Sequence, residues 1–345
     1  MGVAITELLV KKEIKIEYLK NKIVAVDAPN WLYQFLTTIR QRDGTPLMDS
    51  SGNITSHLVG LFSRTANLMD EGLKLAYVFD GKAPALKEEE REKRKQAKIE
   101  AERKYKIAVE KEDVEEMKKY ASRTSRLTGE MIGEAKELIA ALGLPVVDAP
   151  SEGEAQAAHI AAKGDAYCSA SQDADGLLFG ATRLVRSLSV AGKRKKTNKL
   201  GYVTIEPELI TLAETLNELG IDREQLIALA MLVGTDYNNG GIKGIGPKNA
   251  LKLVKEYGKD FDKMFKNSKW GDFFEVDWKT VFDLFKNMPV TDDYNLKWNA
   301  VDEEKIREIL IEKHNFSEER VESSLKNLIK KKEEKKQKGL GEFFN

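Results

Sequence analysis

VVDAPSEGEAQAAHIAAKGDAYCSASQDAD, residues Val146–Asp175, places two acidic pairs at points where the secondary structure is expected to change. Glu152 and Glu154 stand at the start of a predicted helix, and Asp173 and Asp175 follow a predicted strand. If these carboxylates meet others in one cleft, they form an all-oxygen site for divalent metal. Glu154 and the serine three residues before it also fit a capping box, which requires no metal. The cap leaves Glu152 and the second pair without a role, so both interpretations stay open here.

Four short apolar runs predict buried strands that each lead to an acidic residue. Lys22–Asp27 (KIVAVD) and Leu75–Asp80 (LAYVFD) end in an aspartate, while Leu144–Val147 and Ala166–Ala170 run toward the two acidic pairs. Predicted helices alternate with these strands, which indicates an α/β fold with a mostly parallel, twisted sheet. Because the carboxyl ends of parallel strands share one edge, six carboxylates are expected to meet there.

Oxygen ligands in this concentration suit Mg²⁺, and Mn²⁺ prefers similar ligands. Six acids are more than one ion requires, whereas two ions about 4 Å apart can activate a water molecule and stabilise the leaving oxygen in phosphodiester cleavage. The sequence therefore favours a two-metal site. Its expected ligands are Asp27, Asp80, Glu152, Glu154, Asp173 and Asp175, with Asp236 placed to join them.

Composition limits the class of protein. The 345 residues allow one large domain with additions or two domains, and 41% hydrophobic and 32% charged residues indicate a highly charged surface. No apolar run approaches the roughly 20 residues that a membrane span needs, and the N-terminal residue order is unlike a secretion signal. Cys168 is the only cysteine and the chain has 3 histidines. An internal disulfide is therefore excluded, and a zinc site built from cysteine or histidine is disfavoured.

The formal net charge is +0, yet basic residues cluster at Arg91–Lys106, Lys193–Lys199 and Lys326–Lys338. Basic surfaces can therefore lie beside acidic ones, although each cluster also fits an ordinary solvated face. Lys193–Lys199 looks like a hairpin loop between Leu184–Leu188 and Tyr202–Ile205. Contact of this loop with duplex phosphates is a second interpretation.

Between Gly81 and Arg126 the sequence mixes both charges and has few apolar residues. The spacing predicts an exposed helical hairpin laced with ion pairs, because the apolar positions are too sparse for a core-facing stripe. Lys87 and Arg94 supply positive charge that an acidic site for a polyanion needs. Such an insertion above the site could gate or grip a strand, and Arg123 with Arg126 at its end would contact DNA.

A glycine-rich connection joins two predicted helices, Arg223–Val233 and Lys248–Tyr257. Its glycines let the backbone approach a partner and aim amides at a phosphate near the start of the second helix. Such connections also occur for packing alone, but Gly-Ile-Gly-Pro-Lys favours a sequence-independent grip on a duplex backbone. The residues expected to contact DNA here are Lys243, Gly244, Gly246, Lys248 and Lys252.

From Trp270 to Ile329 amphipathic spacing predicts helices whose aromatic residues pack onto the rest of the chain. The run after Lys330 has too few apolar residues to fold alone and is expected to be flexible. The chain then reads QKGLGEFF over residues 337–344, and apolar residues in such a tail suggest a partner's pocket. This spacing is similar to the sliding-clamp-binding peptide of replication proteins, with Gln337, Leu340, Phe343 and Phe344 as its contact residues.

An ordered set of short motifs carries a resemblance to a known family. The chain resembles the flap endonucleases, which belong to the structure-specific 5′ nucleases, and it is most similar to the archaeal replication enzymes. The motifs are Met1-Gly2-Val3, Val26-Asp27-Ala28, Val78-Phe79-Asp80-Gly81-Lys82, Ala149-Pro150-Ser151-Glu152-Gly153-Glu154-Ala155-Gln156, Ser171-Gln172-Asp173-Ala174-Asp175, Gly234-Thr235-Asp236-Tyr237 and Gly244-Ile245-Gly246-Pro247-Lys248.

The resemblance implies a PIN-like 5′ nuclease core over residues 1–265. Within it, residues 81–126 would form a helical arch over the site, and residues 223–257 a helix-turn-helix-type DNA-binding element. Residues 266–330 would form a C-terminal helical region packed on the core, and residues 331–345 a flexible tail with the clamp-binding peptide. We expect a monomer with no membrane contact, cytoplasmic and nucleoid-associated in an archaeon or nuclear in a eukaryote.

The resemblance also implies residue roles. All seven acids would hold two Mg²⁺ ions, for which Mn²⁺ could substitute, and a K⁺ ion would lie in the glycine-rich loop. Lys87 and Arg94 would act as active-site cations. Tyr33 would stack against a base, although an aromatic residue within a helix is also common in packing.

The implied activity is 5′ flap endonuclease and 5′–3′ exonuclease cleavage at single-strand/duplex DNA junctions, in Okazaki fragment maturation and DNA repair. The implied protein partner is the sliding clamp, proliferating cell nuclear antigen. Two alternatives remain: a repair-bubble nuclease of the same superfamily, and a non-catalytic, clamp-bound DNA-binding scaffold.

Overall fold

The structure is a computed structural model that describes residues 3–111, 113–195 and 202–341. The strands within these ranges are β1 (Lys11–Glu13), β2 (Ile23–Asp27), β3 (Lys74–Phe79), β4 (Val146–Asp148), β5 (Cys168–Ala170), β6 (Arg183–Arg186), β7 (Gly192–Lys195), β8 (Tyr202–Ile205) and β9 (Glu208–Thr211). Seven of them form one sheet in the order β1-β9-β6-β5-β2-β3-β4, while β7 and β8 pair with each other.

Helices flank this sheet on both faces. Their bounds are α1 (Ala28–Thr38), α2 (Ser56–Asp70), α3 (Glu88–Glu110), α4 (Val114–Ala121), α5 (Gly129–Ala141), α6 (Gly153–Lys163), α7 (Asp175–Leu178), α8 (Leu212–Leu219), α9 (Arg223–Val233), α10 (Pro247–Tyr257), α11 (Phe261–Asn267), α12 (Trp270–Phe273), α13 (Trp278–Lys286), α14 (Glu303–Arg307) and α15 (Glu318–Gly341).

The four strands predicted to lead to acids are present and adjacent. β5, β2, β3 and β4 follow one another in the sheet and run parallel. Val24 and Val26 of β2 point into the core beneath α1 and α2, whereas Ala25 packs on the opposite face with Val78 and Val147, as the alternation of a strand requires. The predicted α/β fold with a mostly parallel sheet is confirmed, with β1 and β9 antiparallel at one edge.

The second face of the sheet is covered by α6 and by an extended segment, residues 288–302, which we call the strap. Tyr294 and Leu296 of the strap pack on the apolar cluster that contains Ala25 and Val78. Gln156 of α6 is fully buried and pairs twice with the backbone of Thr291, through bonds of 2.8 Å each. The strap thereby connects α13 to α14 while it shields the central strands.

Sequence expectations differ from the structure at several places. The predicted serine cap is wrong, because Ser151 Oγ donates to the carbonyl of Lys82 at 3.1 Å and Glu152 occupies the N-cap position of α6. The predicted hairpin has a different first arm, since Leu184 and Val185 belong to β6 of the main sheet. The basic run at Lys193 instead begins within β7, and residues 196–201 lie outside the described part.

The run after Lys330, expected to be flexible, continues α15 as helix to Gly341. Lysine, glutamate and glutamine have good helix propensity, so this backbone conformation needs no core contact. The arch region forms α3 and α4, which contact each other as the predicted hairpin, and Ile99 and Val109 on α3 are exposed. Within the described ranges, no helix has both the length and the apolarity to cross a membrane.

Candidate active site

One cleft at the carboxyl edge of the sheet collects the predicted acids. The cleft encloses about 430 Å³. β2, β3, β4 and β5 all end at this edge, so the turns that follow them face each other. The acids that line the cleft are Asp27, Asp80, Glu152, Glu154, Asp173, Asp175 and Asp236. All seven positions predicted from the sequence therefore meet in one place.

Asp27 ends β2 and serves as the N-cap of α1, where its Oδ1 accepts from the amide of Asn30 at 3.2 Å. Its other oxygen accepts from Ser171 Oγ at 3.0 Å. Asn30 also donates from its side chain to Asp173 Oδ2 at 3.0 Å. Burial, followed by the charge of Asp80, raises the pKa of Asp27 to about 7. The carboxylates are thus fixed by hydrogen bonds while they repel each other.

Asp80 follows β3 and accepts from the amide of Gly153 at 2.7 Å, so this acid caps α6 from another part of the chain. The backbone of the turn after Asp80 lies very close to the backbone of Ala149. A Cβ on Gly81 would lie 2.1 Å from the carbonyl oxygen of Ala149. Glycine is required there because only a hydrogen allows the two backbones to approach so closely.

Asp175 and Glu154 each accept a backbone amide. Asp175 Oδ1 binds the amide of Val3 at 2.7 Å, and Glu154 Oε1 binds that of Gly176 at 2.9 Å. Burial raises the pKa of Asp175 to about 7, with further contributions from Asp236 and Asp173. Burial and the charge of Asp175 also raise the pKa of Glu154 well above its usual value.

Two cations of the arch reach into the cleft. Lys87 Nζ lies 2.6 Å from Glu152 Oε2 and 3.5 Å from Asp236 Oδ2, and Arg94 Nη2 lies 2.9 Å from Asp236 Oδ1. Burial disfavours the charge on Lys87, but Glu152 and Asp236 outweigh it and raise its pKa. Burial raises the pKa of Glu152, and the ion pair with Lys87 offsets this only in part. The cations therefore neutralise one side of an otherwise anionic cleft.

The donor set is chemically suited to hard divalent cations, because it consists of carboxylate oxygens whose ionised form lacks sufficient counter-charge. As the side chains are placed, however, no three His, Cys, Asp or Glu residues of the described part are grouped closely enough to hold a metal ion. The carboxylates instead bind backbone amides, Ser171, Asn30 and the arch cations. Metal binding would therefore replace some of these partners.

Tyr33 projects from α1 at the rim of the cleft and is 37% exposed. Its hydroxyl donates to the carbonyl of Ser125 at 3.3 Å, and Lys98 Nζ lies 5.1 Å from its ring centre. The ring is therefore accessible as well as packed. Arg123 and Arg126, near the end of the arch, are exposed, and Arg126 pairs with Glu102 at 2.8 Å.

The glycine-rich loop lies between α9 and α10, as predicted. Gly246 is the N-cap of α10 and Pro247 is its first residue. Gly241 and Gly244 have φ of 59° and 89°, in the left-handed region that favours glycine. The lysines expected to contact DNA, Lys243, Lys248 and Lys252, are exposed on this element.

Some residues of the cleft were not predicted as site residues, and part of the predicted clamp peptide lies outside the described residues. Asn30 and Lys98 line the cleft and Ser171 supports it, but none of the three was predicted as a site residue; the position of Asn30 in the first turn after Asp27 was the available signal. Of the predicted clamp peptide, Gln337 and Leu340 lie in the helical backbone of α15. Phe343 and Phe344 lie outside the described residues.

Comparison with known proteins gives full-length matches. Residues 1–101 match the family model of the XPG N-terminal domain, and residues 143–236 match that of the XPG I-region. Flap endonuclease 1 of Pyrococcus abyssi is 56% identical over 344 residues, which cover 100% of this chain and 98% of the relative. The enzyme of that name from Staphylothermus marinus is 51% identical over 352 residues, covering 100% of both.

Solved structures agree with the sequence matches. Flap endonuclease-1 from Methanococcus jannaschii has a TM-score of 0.74 and 42% identity, over 95% of this chain and 98% of that one. The catalytic core of Rad2 in complex with a DNA substrate has a TM-score of 0.67 and 25% identity, over 95% and 100%. Such identity over whole chains, in a fold with the same sheet and flanking helices, means that this chain belongs to the flap endonuclease 1 family.

Proposed function

We propose that the chain hydrolyses phosphodiester bonds where a 5′ single-stranded flap leaves duplex DNA. The observation that carries this proposal is the convergence of seven carboxylates in one cleft, with two cations of the arch beside them. Few other functions require so much negative charge next to a polyanion site. A place in replication and repair follows from this substrate, because both processes generate flaps.

Two divalent cations, Mg²⁺ or Mn²⁺, are the cofactors that the carboxylates would hold, and when bound they supply an activated water and charge stabilisation at the scissile phosphate. Asp27, Asp80, Glu152, Glu154, Asp173, Asp175 and Asp236 are the proposed metal-site residues. Asn30 and Ser171 would keep Asp27 and Asp173 oriented through the hydrogen bonds described above.

Lys87 and Arg94 are the proposed catalytic cations. In the structure they bind Glu152 and Asp236, which leaves them within reach of a phosphate that enters the cleft. Both side chains would donate hydrogen bonds to the phosphate oxygens and stabilise the charge that develops there. Tyr33, accessible at the rim, would stack against the base next to that phosphate.

The remaining contacts would hold the duplex and the clamp. Gly244 and Gly246 would direct amides toward a phosphate, and Lys243, Lys248 and Lys252 would add charge, while the loop would hold K⁺. Arg123 and Arg126 would meet the flap at the arch. The C-terminal peptide with Gln337, Leu340, Phe343 and Phe344 would bind the sliding clamp, proliferating cell nuclear antigen.

Cleavage of a 5′ flap, a repair bubble and a nicked duplex, measured side by side with Mg²⁺, tests this proposal. We expect the flap to be cut fastest, and Asp175→Ala to reduce that rate at least 100-fold, in the range of losses known for essential charge stabilisation. Asp262→Ala, an exposed acid on α11, is the matched control. Equal flap cleavage by wild type and Asp175→Ala would remove the assigned site, and absence of cleavage by wild type would favour a non-catalytic scaffold.

A further inference from the structure

A second cavity opens beside the acid cleft, and none of the roles above uses it. It encloses about 410 Å³, within the roughly 300–1,000 Å³ typical of ligand cavities. Asp236 and Tyr237 line both this cavity and the acid cleft, so the two spaces are adjacent. We call the second space the aromatic cavity. A strand that passes over Asp236 would reach it directly.

Three aromatic residues at α12 form one wall of the aromatic cavity. Trp270 is 5% exposed, and its Nε1 donates to the carbonyl of Val276 at 2.7 Å. The ring of Phe274 lies 4.5 Å from that of Trp270, centre to centre, and is held by it. Phe273 is 44% exposed, although the amphipathic spacing predicts that it packs onto the core. A fixed aromatic pair thus supports one accessible ring.

The backbone before this wall has an unusual conformation. Lys269, which precedes α12, has φ 57° and ψ 42°, in the left-handed region. A residue with a Cβ reaches this region at a cost, and such strain is often found near functional sites. This left-handed residue immediately precedes the short helix that carries Phe273, which lines the cavity.

The start of the arch also contributes to the lining of the cavity. Leu86 and Lys93 line it, and Asn239 and Glu275 give the rim polar groups. Lys93 precedes the proposed catalytic Arg94 in α3. The cavity therefore combines an aromatic face, a cation and hydrogen-bonding groups. A nucleobase with its phosphate has the matching features, because every base has a π face and polar edges.

We propose that the aromatic cavity holds one nucleobase of the single-stranded flap, close to the phosphate over the acid cleft, with Phe273 as its stacking platform. A base within the duplex is paired and stacked, so only an unpaired nucleotide can enter. The inference rests on the proposed function, since it requires a flap that passes Asp236. Phe273 is thereby a positioning residue for the substrate.

Single-turnover cleavage by the full-length protein, below saturation, tests the proposal. Flaps that carry one abasic site at successive positions near the junction are compared with an intact flap. With wild type, one position should lower the rate about 5- to 10-fold, the lower part of the range for loss of base stacking. Phe273→Ala should cut the intact flap at a rate lowered by the same factor. The abasic site at that position should not lower the rate of this variant further, because the two changes remove one interaction.

Conservative variants separate stacking from packing. Phe273→Tyr keeps the aromatic face and should retain the response to the abasic site, whereas Phe273→Leu keeps apolar volume and should lose it. Tyr18→Ala, which removes a ring of similar exposure, 45%, at the other end of the sheet, should behave as wild type. If Leu restores the wild-type response, or if Phe273→Ala still responds to every abasic site as wild type does, the cavity does not bind a base.

A binding measurement keeps this inference distinct from the nuclease assignment. In chelator, wild type should quench the fluorescence of 2-aminopurine placed at the responsive flap position, or at each position in turn. Phe273→Ala should bind the same flap about 5- to 10-fold less tightly when binding is followed by this quenching. Quenching that depends on Phe273 without flap cleavage would uphold the cavity and defeat the proposed function. Flap cleavage together with quenching that is the same in wild type and Phe273→Ala would uphold the proposed function and overturn the proposal for the cavity.

Discussion

Burial of the ionised carboxylates in the cleft destabilises the folded protein. The pKa of Asp27 and of Asp175 rises from 3.8 to about 7 in the folded protein, chiefly through burial. The folded state therefore retains protons between about pH 4 and pH 7 that the unfolded chain releases. Their contribution to stability is present at low pH and is lost as the pH rises through 7.

Asp175→Asn should stabilise the metal-free protein at pH 8. The amide keeps the acceptor for Val3 but removes the buried charge, so we expect the free energy of unfolding to rise by roughly 1–3 kcal/mol at pH 8 and to change little near pH 4. Denaturant unfolding in chelator at both pH values measures this. Glu218→Gln, on the exposed side of α8, serves as the control. A constant difference across the pH range would contradict the electrostatic explanation.

Lys87 offers a prediction about the chemical step. Lys87→Ala removes a donor that would stabilise charge on the phosphate, and we expect kcat for flap cleavage to fall about 100-fold or more with a smaller change in KM. Lys20→Ala, at the amino end of β2, is an exposed lysine on the opposite edge of the sheet and should retain full activity. A fall in binding alone would assign Lys87 to DNA affinity instead.

Among single residues, the sequence predicted the acids of the cleft better than the hydrogen-bond partners that hold these acids in place. Asp27 and Asp80 end apolar runs, and the strand ends of a parallel sheet share an edge, so their meeting follows from local pattern. Ser151 was predicted as a cap by the same local reasoning, yet Asp80 binds the amide of Gly153 instead. That contact joins residues 73 positions apart, and no short pattern contains it.

The connection between α9 and α10 depends on backbone conformation more than on side chains. Gly241 has φ 59°, and a Cβ there would lie 2.1 Å from the carbonyl oxygen of Val233. Gly240 has φ 82°, and a Cβ there would meet nothing within 4 Å. A side chain at Gly240 would therefore introduce backbone strain alone, whereas a side chain at Gly241 would also cause a steric clash.

Gly241→Ala should destabilise the protein far more than Gly240→Ala. The Gly240 variant carries left-handed strain alone, roughly 1–2 kcal/mol, whereas the Gly241 variant must also displace the end of α9, and we expect more than about 3 kcal/mol. Thermal unfolding of both variants measures the difference. Duplex binding should weaken more for Gly241→Ala as well, and similar stability of the two variants would show that the loop can adjust.

Element types were largely predictable, and their partners were not. The four strands β2, β3, β4 and β5 and the helices α9 and α10 follow from apolar spacing and from Pro247 at a helix start. Leu184 and Val185 were assigned to a hairpin, but both join β9 and β5 in the main sheet. Alternating apolar residues identify a strand without specifying which neighbour it pairs with.

At the scale of the whole molecule, the nuclease site and the predicted clamp peptide are far apart in sequence and should act separately. Phe343→Ala combined with Phe344→Ala should abolish binding to the sliding clamp and leave clamp-free flap cleavage within about twofold of wild type, because neither residue belongs to the proposed nuclease site. Titration calorimetry with the clamp and single-turnover cleavage measure the two properties. Loss of both would link the tail to the site.

The C-terminal third also completes the cores that lie under the sheet. Ile306, Leu310 and Leu325 are buried with residues of α1, α2 and α5, and the strap covers the other face. The predicted boundary at residue 265 therefore separates segments that share cores.

That arrangement has a consequence for the protein during its synthesis. The ribosome delivers β2 and β3 early, but the strap, which covers one of their faces, and α15, which packs against α2 on the other side, follow only after residue 287. The nascent chain must therefore carry uncovered apolar surface until these segments have been made, a state in which chains are prone to associate. Retention of this surface by a chaperone until α15 has emerged would suit such an order of assembly.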